Sequence, residues 1–239
     1  MKLLKAMAIA FSIYSKIPVP QFEWKEEDME YMMCFFPWIG GVIGLFFFGW
    51  AVLCEKFAVG NVCYALIGAA IPLMISGGFH VDGYMDTMDA FHSYQSREKK
   101  LEILKDSHIG AFAAIMLALY YMIDIAAISE IHTQKAVSAL AAVFFLARCF
   151  SGIAVMTLQP AKKEGLLYTF ASSAQKVRVK AALYFQAALC VVLMLLVSGW
   201  YGAAAIGAAL LSFFYFKKKS YKELGGITGD TAGFFVTVC

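Results

Sequence analysis

Six runs of about 20 apolar residues, near 33–54, 62–79, 109–129, 136–158, 181–198 and 200–216, decide what this chain can become. A helix of that length crosses a hydrocarbon core roughly 30 Å thick while satisfying its own backbone hydrogen bonds. With 61% hydrophobic and 15% charged residues among 239, a soluble fold would have to hide nearly the whole sequence. The expected architecture is all-α: a polytopic integral membrane helical bundle of about six transmembrane helices plus an N-terminal interfacial helix. No linker, repeat or shift in composition divides it, so residues 1–239 read as a single domain.

Basic residues orient the bundle. Lys2, Lys5, Lys16 and Lys25 precede the first run, and Arg97, Lys99, Lys100 and Lys105 follow the second. Lys162, Lys163, Lys176, Arg178 and Lys180 follow the fourth, and Lys217, Lys218, Lys219 and Lys222 follow the sixth. Only Lys56 and Lys135 fall in the opposite loops, so the positive-inside rule puts both ends and the long loops in the cytoplasm. The first apolar stretch, 3–14, resembles a signal peptide, but no small-x-small cleavage site follows it. Lys16-Ile17-Pro18-Val19-Pro20 breaks it instead, as expected after an interfacial helix. The acidic stretch from Glu23 to Glu30 reads as a solvated surface segment. Gly40, Gly41 and Gly44 give the first span a small face for close helix packing. The six cysteines form no CxxC pair and read as small apolar packing residues, with a Cys54–Cys63 disulfide disfavoured.

Function concentrates where charge meets these runs. Asp82, Asp86 and Asp89 follow the second run, and on a helix they lie within about 60° of one another. Three like charges on one stripe repel unless a cation sits among them. Carboxylates and hydroxyls suit Mg²⁺, whereas zinc or iron would call for more His and Cys. Mg²⁺ usually bridges carboxylates to substrate phosphates, which points to phosphoryl or nucleotidyl chemistry on a diphosphate.

Other charged and glycine-rich positions extend this site. Ser93 continues the stripe, and Lys105-Asp106-Ser107 could hold a phosphate or, equally, cap the next span with a snorkelling lysine. Arg148, near the middle of the fourth run, must face the bundle interior; a phosphate ligand and a structural pair with Asp124 are both open. Gly225-Gly226-Ile227-Thr228-Gly229-Asp230 is a glycine-rich loop that could offer backbone N–H groups to phosphate and Asp230 to a metal.

Together, Gly77-Gly78-Phe79-His80-x-Asp82-Gly83-x-x-Asp86-Thr87-x-Asp89-Ala90, Arg97-Glu98-Lys99 with Lys105-Asp106-Ser107-x-x-Gly110, and Gly225-Gly226-x-Thr228-Gly229-Asp230-x-x-Gly233 resemble the cobalamin synthases, the adenosylcobinamide-GDP ribazoletransferases. Ile17-Pro18-Val19-Pro20 and Phe36-Pro37-x-x-Gly40 resemble that family's opening, so the likeness covers essentially the whole chain. It implies a Mg²⁺-dependent enzyme of the prokaryotic inner membrane, its active site facing the cytoplasm. The implied reaction joins adenosylcobinamide-GDP to α-ribazole or its 5′-phosphate and releases GMP, with the ribazole 5′-hydroxyl attacking the phosphate bonded to cobinamide. Asp82, Asp86, Asp89 and Asp230 would hold Mg²⁺; Asp82, Lys105, Arg148 and His80, the nearest candidate base, would serve catalysis. Gly77, Gly78, Ser93, Arg97, Ser107, Gly226, Thr228 and Gly229 would bind substrate. Partners would be the two substrates and the bilayer, without nucleic acid; a homo-oligomer and contacts with other late cobalamin-pathway enzymes stay open.

The chain departs from the family pattern at His108, where Arg usually follows Lys-Asp-Ser, and at its end, where relatives continue with a further apolar segment after Gly233. Two other classes remain in view. A CDP-alcohol phosphotransferase needs an Ala-Arg after its first Asp-Gly pair, where this chain has Met85-Asp86-Thr87. An ion or metal transporter could use the three aspartates as a pathway, but transporters place acids at the midplane and often show internal repeats.

Overall fold

The computed structural model describes residues 2–20, 23–162, 167 and 174–239. Of the basic residues that orient the chain, Lys163 lies outside them. The helices are α1 (Lys2–Tyr14), α2 (Phe36–Lys56), α3 (Asn61–Ser76), α4 (Phe79–His92), α5 (Arg97–Ile103), α6 (Ala111–Ile128), α7 (Gln134–Thr157), α8 (Lys176–Ser198), α9 (Trp200–Leu224) and α10 (Gly229–Val238). No β-strand occurs among the described residues; one parallel bridge joins Pro160 to Ile227.

The six runs do not become six straight spans. Four helices are each long and apolar enough to cross a membrane: α2, α6, α7 and α8. The helix of the second run ends at Ser76, and α3 and α4 pass the same test only as a pair bent by 99°. Gly77 and Gly78 make that bend with φ of +66° and +86°, a left-handed pair that residues with a Cβ rarely adopt. α4 therefore turns away from the line of α3 and carries the aspartates with it. The sixth run lies in α9, whose apolar part stops at Lys217-Lys218-Lys219.

α7 is the hub, with 67% of its apolar window buried against 11% for the peripheral α6. Its closest partner is α2. A Cβ on Gly40 or Gly44 would run into the carbonyls of Phe144 and Ala141, so these glycines let the two backbones touch. α1 buries Ala6, Ile9, Ala10 and Tyr14 and exposes Leu3, Leu4 and Met7, as an interfacial helix should.

The acidic segment is more tightly held than a solvated stretch would be. Asp28 accepts from the Lys25 backbone N–H and from the Lys5 side chain, both at 3.2 Å, which keep its carboxyl below the usual range, and neighbouring Met29 is buried. All six cysteines are free thiols. On the basic side, Lys100 of α5 and Lys219 of α9 both pair with Glu223, tying those helices together.

Candidate active site

α4 and α10 bring two distant motifs together. The pair can cross closely because Gly83 faces the Asp230 backbone and Gly233 faces the His80 backbone. The ring of Tyr84 stacks on Phe234 at 5.8 Å and locks the crossing. Thr228 caps α10, accepting the Thr231 N–H at 3.1 Å, and donates to Asp230 Oδ2 at 3.4 Å. Behind it, Ile227 exchanges backbone hydrogen bonds with Gln159 and Ala161, fixing the glycine-rich loop beside the end of α7.

A cavity of about 570 Å³ opens at this crossing. Its charged wall holds Asp82, Asp230, Lys105 and Lys162, with Thr228 and Gly229 beside them. A second wall is aromatic: Tyr14, Phe36, Phe79 and His80, from α1, α2 and α4, pack ring to ring. α7 adds Ser151 and Val155.

The carboxylates sense one another. Burial raises Asp86 to about 7, helped by the charges of Asp82, Asp230 and Asp89. Burial also raises Asp230, opposed by its own backbone N–H, by Thr228 and by the positive charge of Lys162. His80 is held well below its ordinary range, first by burial and then by the Arg148 charge. Neither ring nitrogen of His80 has a hydrogen-bond partner. Among the described residues, no three His, Cys, Asp or Glu side chains are gathered closely enough to form a ready-made metal cage.

The family model for cobalamin-5-phosphate synthase matches residues 6–239. The chain belongs to the cobalamin-5-phosphate synthase family. Among its relatives, an adenosylcobinamide-GDP ribazoletransferase of Lachnoclostridium phytofermentans is 44% identical, covering all of this chain and 91% of the relative. A namesake from Clostridium botulinum (strain Alaska E43 / Type E3) is 31% identical over 99% of this chain and 94% of its own length, and one from Geotalea daltonii is 30% identical over 97% and 92%. No solved structure matches the chain.

Of the residues in which this chain resembles the cobalamin synthases, the fold brings Asp82, His80, Lys105, Thr228, Gly229 and Asp230 into the one cavity. Asp86 lies close enough to feel the other three acids. Asp89 does not line it: its Oδ1 accepts the Ala113 N–H at 3.2 Å and its carboxylate sits over Gly110, so it caps α6 from the neighbouring helix. That also answers how α6 is capped, since Asp106 turns back onto His108 at 2.7 Å and Ser107 is exposed.

Arg148 stands behind the cavity. It is buried, donates to the Phe144 carbonyl at 2.9 Å, leaves Nε without a partner and lines a smaller cavity of about 150 Å³ with Asp124 and His80. Among the described residues no ion pair joins Arg148 to Asp124. Gly77 and Gly78 form the α3–α4 bend beside the aliphatic stem of Lys16, and Gly226 packs on the 159–161 backbone. Ser93 closes α4 by donating to Ala90 O, and Arg97 lays its guanidinium over Gly225. These five shape the site's frame and do not line its cavity. Sequence reasoning missed Lys162, which counted only as loop charge, and Ser151, one turn beyond Arg148. A hydroxyl one turn from a buried arginine was the available signal for Ser151; for Lys162 there was none.

Proposed function

We propose that this chain transfers the adenosylcobinamide phosphate group of adenosylcobinamide-GDP to α-ribazole or its 5′-phosphate, releasing GMP, at the cytoplasmic face of the inner membrane. Family membership supports the reaction, and one observation supports its location. Asp82 and Asp230, 148 residues apart in the sequence, share a cavity with Lys105 and Lys162. The basic loops support the cytoplasmic side.

A ribose hydroxyl attacks the phosphorus attached to cobinamide. The new P–O bond forms as the bond from that phosphorus to the bridging oxygen breaks, and GMP leaves with that oxygen. The attacking group is not the 5′-hydroxyl expected from the resemblance, because a cobalamin 5-phosphate keeps a phosphate on that position. A secondary ribose hydroxyl fills the role. His80, which lines the cavity and whose ring nitrogens have no hydrogen-bond partner, is the nearest candidate to take its proton as the bond forms. Lys105 and Lys162 offset charge gathering on the departing phosphate.

The donor set fits Mg²⁺. Asp82, Asp86 and Asp230 offer oxygens only and their charges bear on one another, the donor chemistry of an ion that usually completes its shell with water and phosphate. When bound there, Mg²⁺ would neutralise the diphosphate and polarise its P–O bonds. Asp89 is left to capping.

Release of GMP and formation of the cobalamin product, in equal amounts, by the purified chain in lipid vesicles tests this reading. Metal flux across the vesicle without GMP release would favour a transporter instead.

A further inference from the structure

Apart from His80, the aromatic lining has no part in the proposed phosphoryl chemistry, yet its rings form a packed cluster at the cavity. Tyr14 and Phe36 lie 4.6 Å apart, Tyr14 meets Phe79 edge-on at 5.1 Å, and the His80 ring lies nearly parallel to Tyr14 at 5.9 Å. Three separate helices supply these rings, and Met33 adds a polarisable neighbour. Phe79 is 41% exposed and lines the cavity, whereas Tyr14, Phe36 and His80 are buried against it and one another.

We infer that this wall is the subsite for the base of the acceptor nucleoside, a benzimidazole. The inference rests on the transferase reading above. Displacement at phosphorus keeps nucleophile and leaving group roughly in line on opposite sides, so the two nucleosides reach the phosphorus from different directions. The leaving GMP carries the developing negative charge and takes the wall with Lys105 and Lys162. The acceptor then takes the other.

Base chemistry points the same way. A dimethylbenzimidazole attached through one ring nitrogen has two methyl groups, a wide π face and a single remaining ring nitrogen. It loses little by entering a pocket of Tyr, Phe and Met side chains. Guanine presents an amide and an exocyclic amine that such a wall would leave unpaired, at a cost in binding. Stacking on aromatic rings holds a flat base without needing hydrogen bonds.

Phe79→Ala tests the assignment, since that ring is half exposed and its loss leaves the buried core intact. In vesicles with saturating co-substrate, it should raise KM for α-ribazole about tenfold while leaving KM for adenosylcobinamide-GDP within about twofold. Equilibrium dialysis of α-ribazole against the wild-type protein gives an independent measure: free dimethylbenzimidazole should displace it and guanosine should not. A rise confined to KM for adenosylcobinamide-GDP, or displacement by guanosine, overturns the subsite. Wild-type protein that releases no GMP would instead overturn the transferase reading, while dialysis would still report whether the wall takes the base.

Discussion

Gly83 of α4 lies so close to Asp230 of α10 that a Cβ on the glycine would come within 2.9 Å of the Asp230 carbonyl oxygen. This contact sets the spacing between the two halves of the proposed site. Alanine favours a helix over glycine by about 1 kcal/mol, so Gly83→Ala would stabilise an isolated α4. In the protein it should push α10 away and lower GMP release at least tenfold. Activity alongside a melting curve in detergent checks this; full activity would mean that the spacing is unimportant.

Asp89 and Asp82 should separate cleanly. Asp89→Ala removes the acceptor for the Ala113 N–H and should destabilise the protein by about 1 kcal/mol, whereas Asp89→Asn, which keeps an acceptor oxygen, should retain most stability and activity. Thermal denaturation of both variants measures this. An Asp89→Asn protein that is stable but inactive would return Asp89 to the metal shell.

The α2–α7 contact should tolerate no side chain. Gly40 and Gly44 each sit against a carbonyl of α7, and overpacking there should cost about 1–3 kcal/mol for Gly44→Ala and more for both changes together. Gly49, with open space around it, is the control: Gly49→Ala should be neutral or mildly stabilising. Equal effects at positions 44 and 49 would contradict the packing.

The acid cluster gives stability a pH dependence. Burial, then Asp82, Asp230 and Asp89, raise the Asp86 carboxyl from the ordinary 3.8 to about 7, so the folded protein holds that proton more tightly than the unfolded chain. Between about pH 4 and 7, metal-free protein should lose stability as pH rises, then level off. A cation among the carboxylates relieves that repulsion, so Mg²⁺ should raise the melting temperature more at pH 8 than at pH 5. Matching shifts at both values would speak against metal binding here.

Much of this was legible in the sequence because it depends on local pattern. Four of the six apolar runs correspond to helices long and apolar enough to cross a membrane, and the Gly40/Gly44 spacing marked the close α2–α7 contact. What escaped depends on contacts between distant segments. The stripe of Asp82, Asp86 and Asp89 fixes one helix face but not its neighbours, and α6 claims Asp89 while α10 supplies Asp230. Lys162 reaches the site through the short pairing of 159–161 with Ile227, which no periodicity announces. The sharp α3–α4 bend was written in Gly77-Gly78, yet a continuous apolar run through 62–79 concealed that the helix stops at Ser76.

Asp82 carries the greatest weight. It lies on the charged wall of the cavity, and Asp82→Asn keeps its size while removing its charge. GMP release by wild-type and Asp82→Asn proteins should be compared in vesicles with adenosylcobinamide-GDP, α-ribazole and Mg²⁺. A variant that melts like wild type but releases GMP at least 100-fold more slowly is the expected result. A variant that keeps full Mg²⁺-dependent activity would place the chemistry elsewhere.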